Sequence, residues 1–327
     1  MWFSMNVQGP ALARRIDDLR VVRGSRAPAG AAISVVVMAT DAPPTVRAAV
    51  QSLLAQGGAV EIIVVNTGDG SVRDLLAAEE DLITWVETKE RQYPGGTRNL
   101  GIKYSSGPIV AFLAADCLAT PGWVRKRLAV HGAGSKAVAS AMLPAPEDGK
   151  NTATIVAWAS YTAMHWRRMP DMPAERTTRY GASYHRELFE EFGLFREDLR
   201  VSEDTEFNSR IGGAHKPVWD PEIVTLHRYP STLVAALKYQ FMRGRRAAAW
   251  QVHNKAMTPV RVFLMQRKMR VRLPKRYVRN FGTGARRDAI LRARHLLSLL
   301  ALAFGAGALS LYFSMPAGGG GNSARRR

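Results

Sequence analysis

Cysteine is almost missing from this chain: Cys117 is the only one in 327 residues. That excludes an intramolecular disulfide and a cysteine-based zinc cluster, and it is compatible with a reducing compartment. The opening stretch MWFSMNVQGPALARRIDDLR lacks the continuous apolar core and small-residue cleavage site of a signal peptide, so nothing here argues for secretion. There is no internal repeat. Acidic residues are scarce in one region: from Lys238 to His295 the chain carries seventeen Lys and Arg against one acid, Asp288, which is +16 of the formal +19. Residues 1–237 are close to neutral. A charge of this size suits a nucleic acid, an anionic membrane surface or an acidic ligand. The basic region has few base-stacking aromatics, Tyr277 and Phe281 among them, and no recognised nucleic-acid motif, so nucleic acid is not expected as a partner.

What is present is a regular alternation that begins at Ile33. ISVVVMA is a short β-branched run, followed by PPTVRAAVQSLLAQGG with a proline start, helical apolar spacing and a glycine stop. EIIVVNTGDGS then leads into VRDLLAAEEDL, read as a helix; ITWVET is another strand, GTRNLGIKYSSG a helix, PIVAFLAADC a strand and PGWVRKRLAVHG a helix. Strands alternating with helices predict an α/β fold with a mostly parallel central sheet flanked by helices. Ligands of such sheets sit beyond the carboxyl ends of the strands, which is where NTGDGS and AADC fall. Residues 144–180 read as an irregular aromatic lobe, and PVWDPEIVTLHRYP as a β-hairpin-like excursion.

Leu296 to Phe313 is an 18-residue run without a charge. As a helix it would be about 27 Å long, against a hydrocarbon core of about 30 Å. It fits a marginal membrane span, a helix on a lipid surface, or a buried C-terminal helix. The basic residues before it would face anionic headgroups on the cytoplasmic side of the cell membrane. The expected organisation is therefore an arm over 1–30, one domain over 31–250, a basic amphipathic segment over 251–295, an apolar helix over 296–313 and a flexible basic tail over 314–327.

In order and spacing these segments resemble the inverting GT-A glycosyltransferases of family 2. The resemblance runs from Ile33 to about Trp250. ISVVVMAT is similar to the family's first strand, IIVVNTGDGS to the strand that ends in Asp and a Gly/Ser loop, and PGGTRNLGI to a segment usually ending Ala-Arg-Asn-x-Gly. FLAADCLATPGW is similar to Phe-Leu-Asp-x-Asp followed by Pro-Gly-Trp, YGASYHRELFEEFGLF to the acceptor-side Gly-Ala block, and SEDTEFNSRI to the helix start that carries the catalytic base.

The resemblance implies transfer of a sugar from a nucleotide-diphosphate donor to a hydroxyl acceptor, a cell-envelope or lipid-linked glycan. It implies Asp204 as the base, with Thr40, Asn66, Asp69, Arg98, Asn99, Ala115 and Asp116 at the donor. Gly181, Ala182, Glu203, Gln240 and Arg243 would lie on the acceptor side. A divalent metal, Mn²⁺ or Mg²⁺, would be held by Asp116 with His227, because carboxylate oxygens bind such cations and the cation neutralises a departing diphosphate. Two departures stand out. Ala114 replaces the first acid of Asp-x-Asp, and Asn66 replaces a base-binding Asp. They leave open a catalytically degenerate binding or scaffold protein. Gln240 and Arg243 are similar to a Gln-x-x-Arg-Trp motif of processive relatives, but Gly244 stands in place of Trp, which implies non-processive transfer.

Overall fold

The computed structural model describes residues 16–28, 30–147, 152–179, 183–255 and 257–314. The chain divides into two compact units, one formed by residues 1–143 and 174–227, the other by 144–173 and 228–327. This division differs from the expected single domain over 31–250, because residues 144–173 and 228–250 belong with the C-terminal helices.

The first unit is built on a nine-stranded sheet. Its strands are β1 (Arg20–Arg23), β2 (Ile33–Thr40), β3 (Val60–Thr67), β4 (Thr84–Thr88), β5 (Ile109–Ala114), β6 (Cys117–Ala119), β7 (Ala137–Pro144), β8 (Ser183–His185) and β9 (Val218–His227), in the order β1-β4-β3-β2-β5-β8-β7-β9-β6. Helices α1 (Val46–Leu54), α2 (Pro94–Lys103), α3 (Trp123–Gly132), α5 (Glu187–Phe192) and α6 (Glu203–Arg210) belong to this unit, and α4 (Ile155–His165) to the other.

The strand pattern explains the two-sided core. Along β2, Ile33, Val35, Val37 and Ala39 join one apolar cluster with Val46, Val50 and Leu53 of α1, while Val36 joins the opposite cluster with Leu100 and Ile102 of α2 and Phe207 of α6. β5 alternates in the same way, with Ala111 and Leu113 on one face and Val110 and Phe112 on the other. A sheet covered on both faces needs apolar residues at every position, which is why these strands read as continuous hydrophobic runs.

Four expectations are corrected. The sheet is mixed: β4-β3-β2-β5 pair in parallel, but β1 on β4, β8 on β5, β7 on β8 and β6 on β9 are antiparallel. VRDLLAAEEDL is two 3₁₀ turns, Asp74–Leu76 and Glu80–Leu82; between them buried Glu79 accepts hydrogen bonds from Arg47 Nε (3.2 Å) and Gln51 Nε2 (3.0 Å), tying the loop to α1 instead of continuing a helix. PVWDPEIVTLHRYP holds one ten-residue strand, β9, with Pro221 in its exposed half, where a missing N–H is tolerated. Residues 20–23 of the expected arm are strand β1, held beside β4 where Asp18 accepts from Thr88 Oγ1 (2.6 Å) and Lys89 N (2.7 Å). Those two hydrogen bonds hold the Asp18 carboxyl below its ordinary value.

The second unit is helical: α4, α7 (Leu233–Lys255), α8 (Pro259–Arg267), a π-helical turn Lys268–Arg272, α9 (Leu273–Phe281) and α10 (Gly284–Ser314). α10 crosses the expected boundary at 295, so the end of the basic segment, residues 284–295, and the apolar stretch are one continuous helix. Residues 315–327 of the expected tail lie outside the described residues. α7 and α10 pack backbone to backbone: a Cβ on Gly244 would stand 1.9 Å from the Phe304 carbonyl oxygen, and one on Gly307 1.9 Å from that of Phe241. The glycine at 244, read from sequence as a missing tryptophan, is thus required by helix packing.

Candidate active site

The carboxyl ends of β2, β3 and β5 lie side by side as expected for a parallel core, and the loops that follow β2 and β3 are bound to each other. β2 runs beyond Thr40, which is exposed, into Asp41 and Ala42, at φ 57° and 44°. Non-glycine residues seldom adopt this left-handed region, and such strain persists only where surrounding bonds enforce it. Here Asp41 Oδ1 accepts from the Asp69 backbone N–H (3.1 Å) and its Oδ2 from Arg91 Nη2 (2.6 Å). Asn66 is buried, its Oδ1 accepting from Ala42 N (3.0 Å) and its Nδ2 donating to the Gly70 carbonyl (3.0 Å). Its amide is therefore engaged in bracing two loops rather than in presenting a free base-reading edge. The amide at 66 explains the match: a carboxylate could accept from Ala42 but could not donate to Gly70. Asp69 is exposed beside it.

At the end of β5, buried Ala115 donates its N–H to Met38 O (2.9 Å), and Asp116 turns outward with its side chain about half exposed. The antiparallel register of β6 on β9 sets Cys117 directly opposite His227. This brings His227 Nε2 to 3.5 Å from Asp116 Oδ2, with the Cys117 thiol 3.6 Å from Asp116 Oδ1. One ligand atom from each of the three residues falls within 4.8 Å of the others. Residues 111 positions apart in sequence thus form one cluster able to hold a cation. Asp116 and His227 are the pair the sequence selected; Cys117 and Asp41 were missed. A carboxylate directly after the first strand was the available signal for Asp41, while Cys117 needed the β6–β9 register.

Arg98 and Asn99 lie elsewhere than expected. Arg98 is buried and ion-paired with Glu203, its guanidinium 5.3 Å from the ring centres of both Phe112 and Phe195. Burial pushes the Glu203 carboxyl up, and the neighbouring guanidinium pulls it back down. Asn99 donates to Phe195 O and Glu197 Oε1 (both 2.8 Å) and accepts from Phe195 N (3.0 Å). Both residues, expected at the donor, support the segment leading to α6. The glycines beside them serve packing: a Cβ on Gly101 would meet Val36 Cγ1 at 2.2 Å, and one on Gly95 the Arg196 carbonyl at 2.1 Å.

That support fixes the start of α6. Ser202, at φ 71°, reverses the chain so that Glu203 points inward to Arg98 while Asp204 stays partly exposed in the first helical turn. Asp204 Oδ1 accepts from Thr205 N at 2.7 Å. Beneath it Tyr184, raised by burial, donates to Asn208 Oδ1 (2.8 Å). The acceptor-side expectation for Glu203 therefore becomes a buried anchor. In the second unit, Gln240 is fully buried and accepts from Arg270 Nη1 (3.3 Å), so it is interior rather than ligand-facing; Arg243 stacks over Tyr239 at 5.8 Å. Gly181 and Ala182 lie outside the described residues.

Residues 34–193 match the sequence model of glycosyl transferase family 2. The succinoglycan biosynthesis protein ExoU of Rhizobium meliloti is 30% identical over 104 residues, which are 31% of this chain and 30% of that protein. Among solved structures, a mannosyltransferase from Pyrobaculum calidifontis in complex with GDP-Man and Mn²⁺ is 17% identical, covering 93% of this chain and 80% of its own at a TM-score of 0.48. Staphylococcus aureus TarS 1–349 is 14% identical, covering 86% and 92% at a TM-score of 0.46. The matched segment, just under half of the chain, runs from β2 to the end of α5 and contains the strand ends described above: over these residues the chain is similar to glycosyl transferase family 2.

Proposed function

We propose that this glycosyltransferase moves a sugar from a nucleotide-diphosphate donor to a hydroxyl of a cell-envelope or lipid-linked glycan, with inversion at the anomeric carbon and without processivity. The observation that carries this reading is the approach of Asp116 and His227 at the end of the parallel strands. One carboxylate oxygen and one imidazole nitrogen suit a divalent cation such as Mn²⁺, and Mg²⁺ is the alternative. When bound, the cation would neutralise charge on the departing diphosphate. Ala114 removes one acid of the usual pair, and His227 supplies a ligand on the neighbouring strand.

The chain's own groups account for the remaining chemistry. Asp204 takes the proton of the acceptor hydroxyl as the new oxygen–carbon bond forms and the bond to the diphosphate breaks. The buried Arg98–Glu203 pair holds that carboxylate in place. Thr40, Asp41 and Asp69 rim the donor end of the sheet, on loops that Asn66 keeps together. The likeness to a succinoglycan biosynthesis protein supports a polysaccharide product, and the close packing at Gly244 leaves no room for the indole of the processive motif. The basic C-terminal helices support a site of action on the inner face of the cell membrane, against anionic lipid.

The test is thermal stabilisation by UDP-, GDP- and dTDP-sugars, each with and without Mn²⁺ or Mg²⁺, followed by transfer assays with the donor that binds. One nucleotide class should stabilise the protein in a metal-dependent way that Asp116→Ala abolishes. Folded protein that responds to no donor would favour the degenerate binding protein instead.

A further inference from the structure

α10 has two unlike sides. On one, Ile290, Ala293, Leu297, Leu300, Phe304 and Ala308 are at most 2% exposed. Of these, Ala293, Leu297 and Leu300 pack with Ala159 and Ala163 of α4 and Ala236 of α7, and Ala308 with Ala248 of α7 and Val262 of α8. Contact is close around residues 304–307, since a Cβ on Gly305 would stand 2.1 Å from the Phe263 ring and one on Gly307 1.9 Å from the Phe241 carbonyl oxygen. Drawing α10 into a bilayer by itself would strip an apolar face from three helices at once.

The other side is a single exposed line with spacings of four and three: Asp288, Arg292, His295, Leu299, Leu302 and Ala306. Its first half is charged, flanked by exposed Arg287 and Arg294, and borders an open groove of about 680 Å³ that also takes in Ile155 and Leu291. Its second half is apolar, with Leu299 45% and Leu302 57% exposed. Alongside, α8 exposes Val260 and Leu264 next to Arg261. Only 39% of the most apolar stretch of α10 is buried. A cationic patch that runs directly into exposed leucines along one helix line is complementary to lipid phosphates above acyl chains. A nucleic-acid backbone would match the arginines but not the leucines.

We infer that α10 lies in the plane of an anionic membrane surface, with Arg287, Arg292 and Arg294 on headgroup phosphates and Leu299 and Leu302 at the headgroup–acyl boundary, and that it does not cross the bilayer. This deepens the membrane part of the proposed function and stands apart from its catalytic part, because its test involves no turnover.

The experiment is co-sedimentation of the full chain with phosphatidylcholine vesicles with and without phosphatidylglycerol, together with alkaline carbonate extraction of membranes from expressing cells. Binding should require the anionic lipid. Arg292→Gln with Arg294→Gln should weaken it about fivefold per cation removed. Leu299→Ser with Leu302→Ser should weaken it roughly tenfold. These positions are exposed, and unchanged melting curves would verify that the variants fold. Carbonate should release the wild-type protein. Retention after carbonate would establish a spanning helix and overturn the inference, as would indifference to anionic lipid or to both leucines. Tighter binding to RNA than to anionic vesicles would overturn it in favour of a nucleic-acid surface. An inactive enzyme that still binds anionic vesicles would refute the catalytic reading alone.

Discussion

Replacing Arg98 by methionine isolates the device that positions Asp204. The Arg98 and Glu203 side chains are 8% and 7% exposed, so solvent cannot screen what the substitution leaves behind. Methionine restores most of the packing against Phe112 and Phe195 but strands a buried carboxylate, a situation that costs about 3–5 kcal/mol. For a unit of this size that corresponds to a fall in melting temperature of roughly 6–20 °C. Burial disfavours the charged form, and without Arg98 the folded Glu203 pKa stands further above its unfolded value. A raised acid destabilises where it is ionised, and the loss is relieved as pH falls through the folded pKa. The Arg98→Met deficit should therefore be largest near about pH 8 and shrink towards about pH 5. Arg98→Met combined with Glu203→Leu should recover most of the stability, since apolar replacement of a buried pair is often neutral. Differential scanning fluorimetry across pH measures all three proteins. A deficit below about 1 kcal/mol, or one that does not vary with pH, would refute a buried ion pair as the anchor of α6.

Asp204→Asn should lower turnover by at least about a hundredfold while leaving donor-induced stabilisation intact, which transfer and melting assays on one preparation will distinguish. His227→Ala should remove the metal-dependent part of that stabilisation, worth about 2.7 kcal/mol at a hundred times the dissociation constant. Gly244→Ala places a methyl group against the Phe304 carbonyl and should destabilise the chain by about 1–3 kcal/mol or more, measured by denaturant titration. An unchanged midpoint would mean that α7 and α10 do not pack as closely as described.

Much of the fold was legible in the sequence because it is encoded locally. β2, β3 and β5 announce themselves as β-branched runs bounded by glycine and proline, since strands covered on both faces must be apolar throughout. α1 carries its own proline start and glycine stop. The placement of Asp116 just after a strand and of Asp204 at a helix start was legible for a related reason: each lies at the boundary of an element, where the pattern of its neighbours gives it context. The short 3₁₀ turns at 74–82 and the single strand at 218–227 were not legible, because Glu79 binding to α1 and the pairing of β6 with β9 are long-range events with no local signature.

The same distinction separates two kinds of site residue. Composition and order determined that this chain would build a parallel core with acids at its carboxyl ends, and would gather its positive charge near one terminus. Tertiary structure decided which of those residues meet. Arg98, chosen as a donor contact because glycines surround it, turned inward because Glu203 and two phenylalanines enclose it and the glycines serve backbone packing. Asn66 became a brace because its amide lies between two loop backbones. Asp116 and His227 were paired from the sequence, but that Cys117 stands opposite His227 came from a strand register that no spacing reveals. The end of the basic segment, residues 284–295, and the apolar stretch became opposite ends of one helix face because α4, α7 and α8 bury the other. In each case the deciding term is burial against a distant segment, which depends on the whole chain having folded.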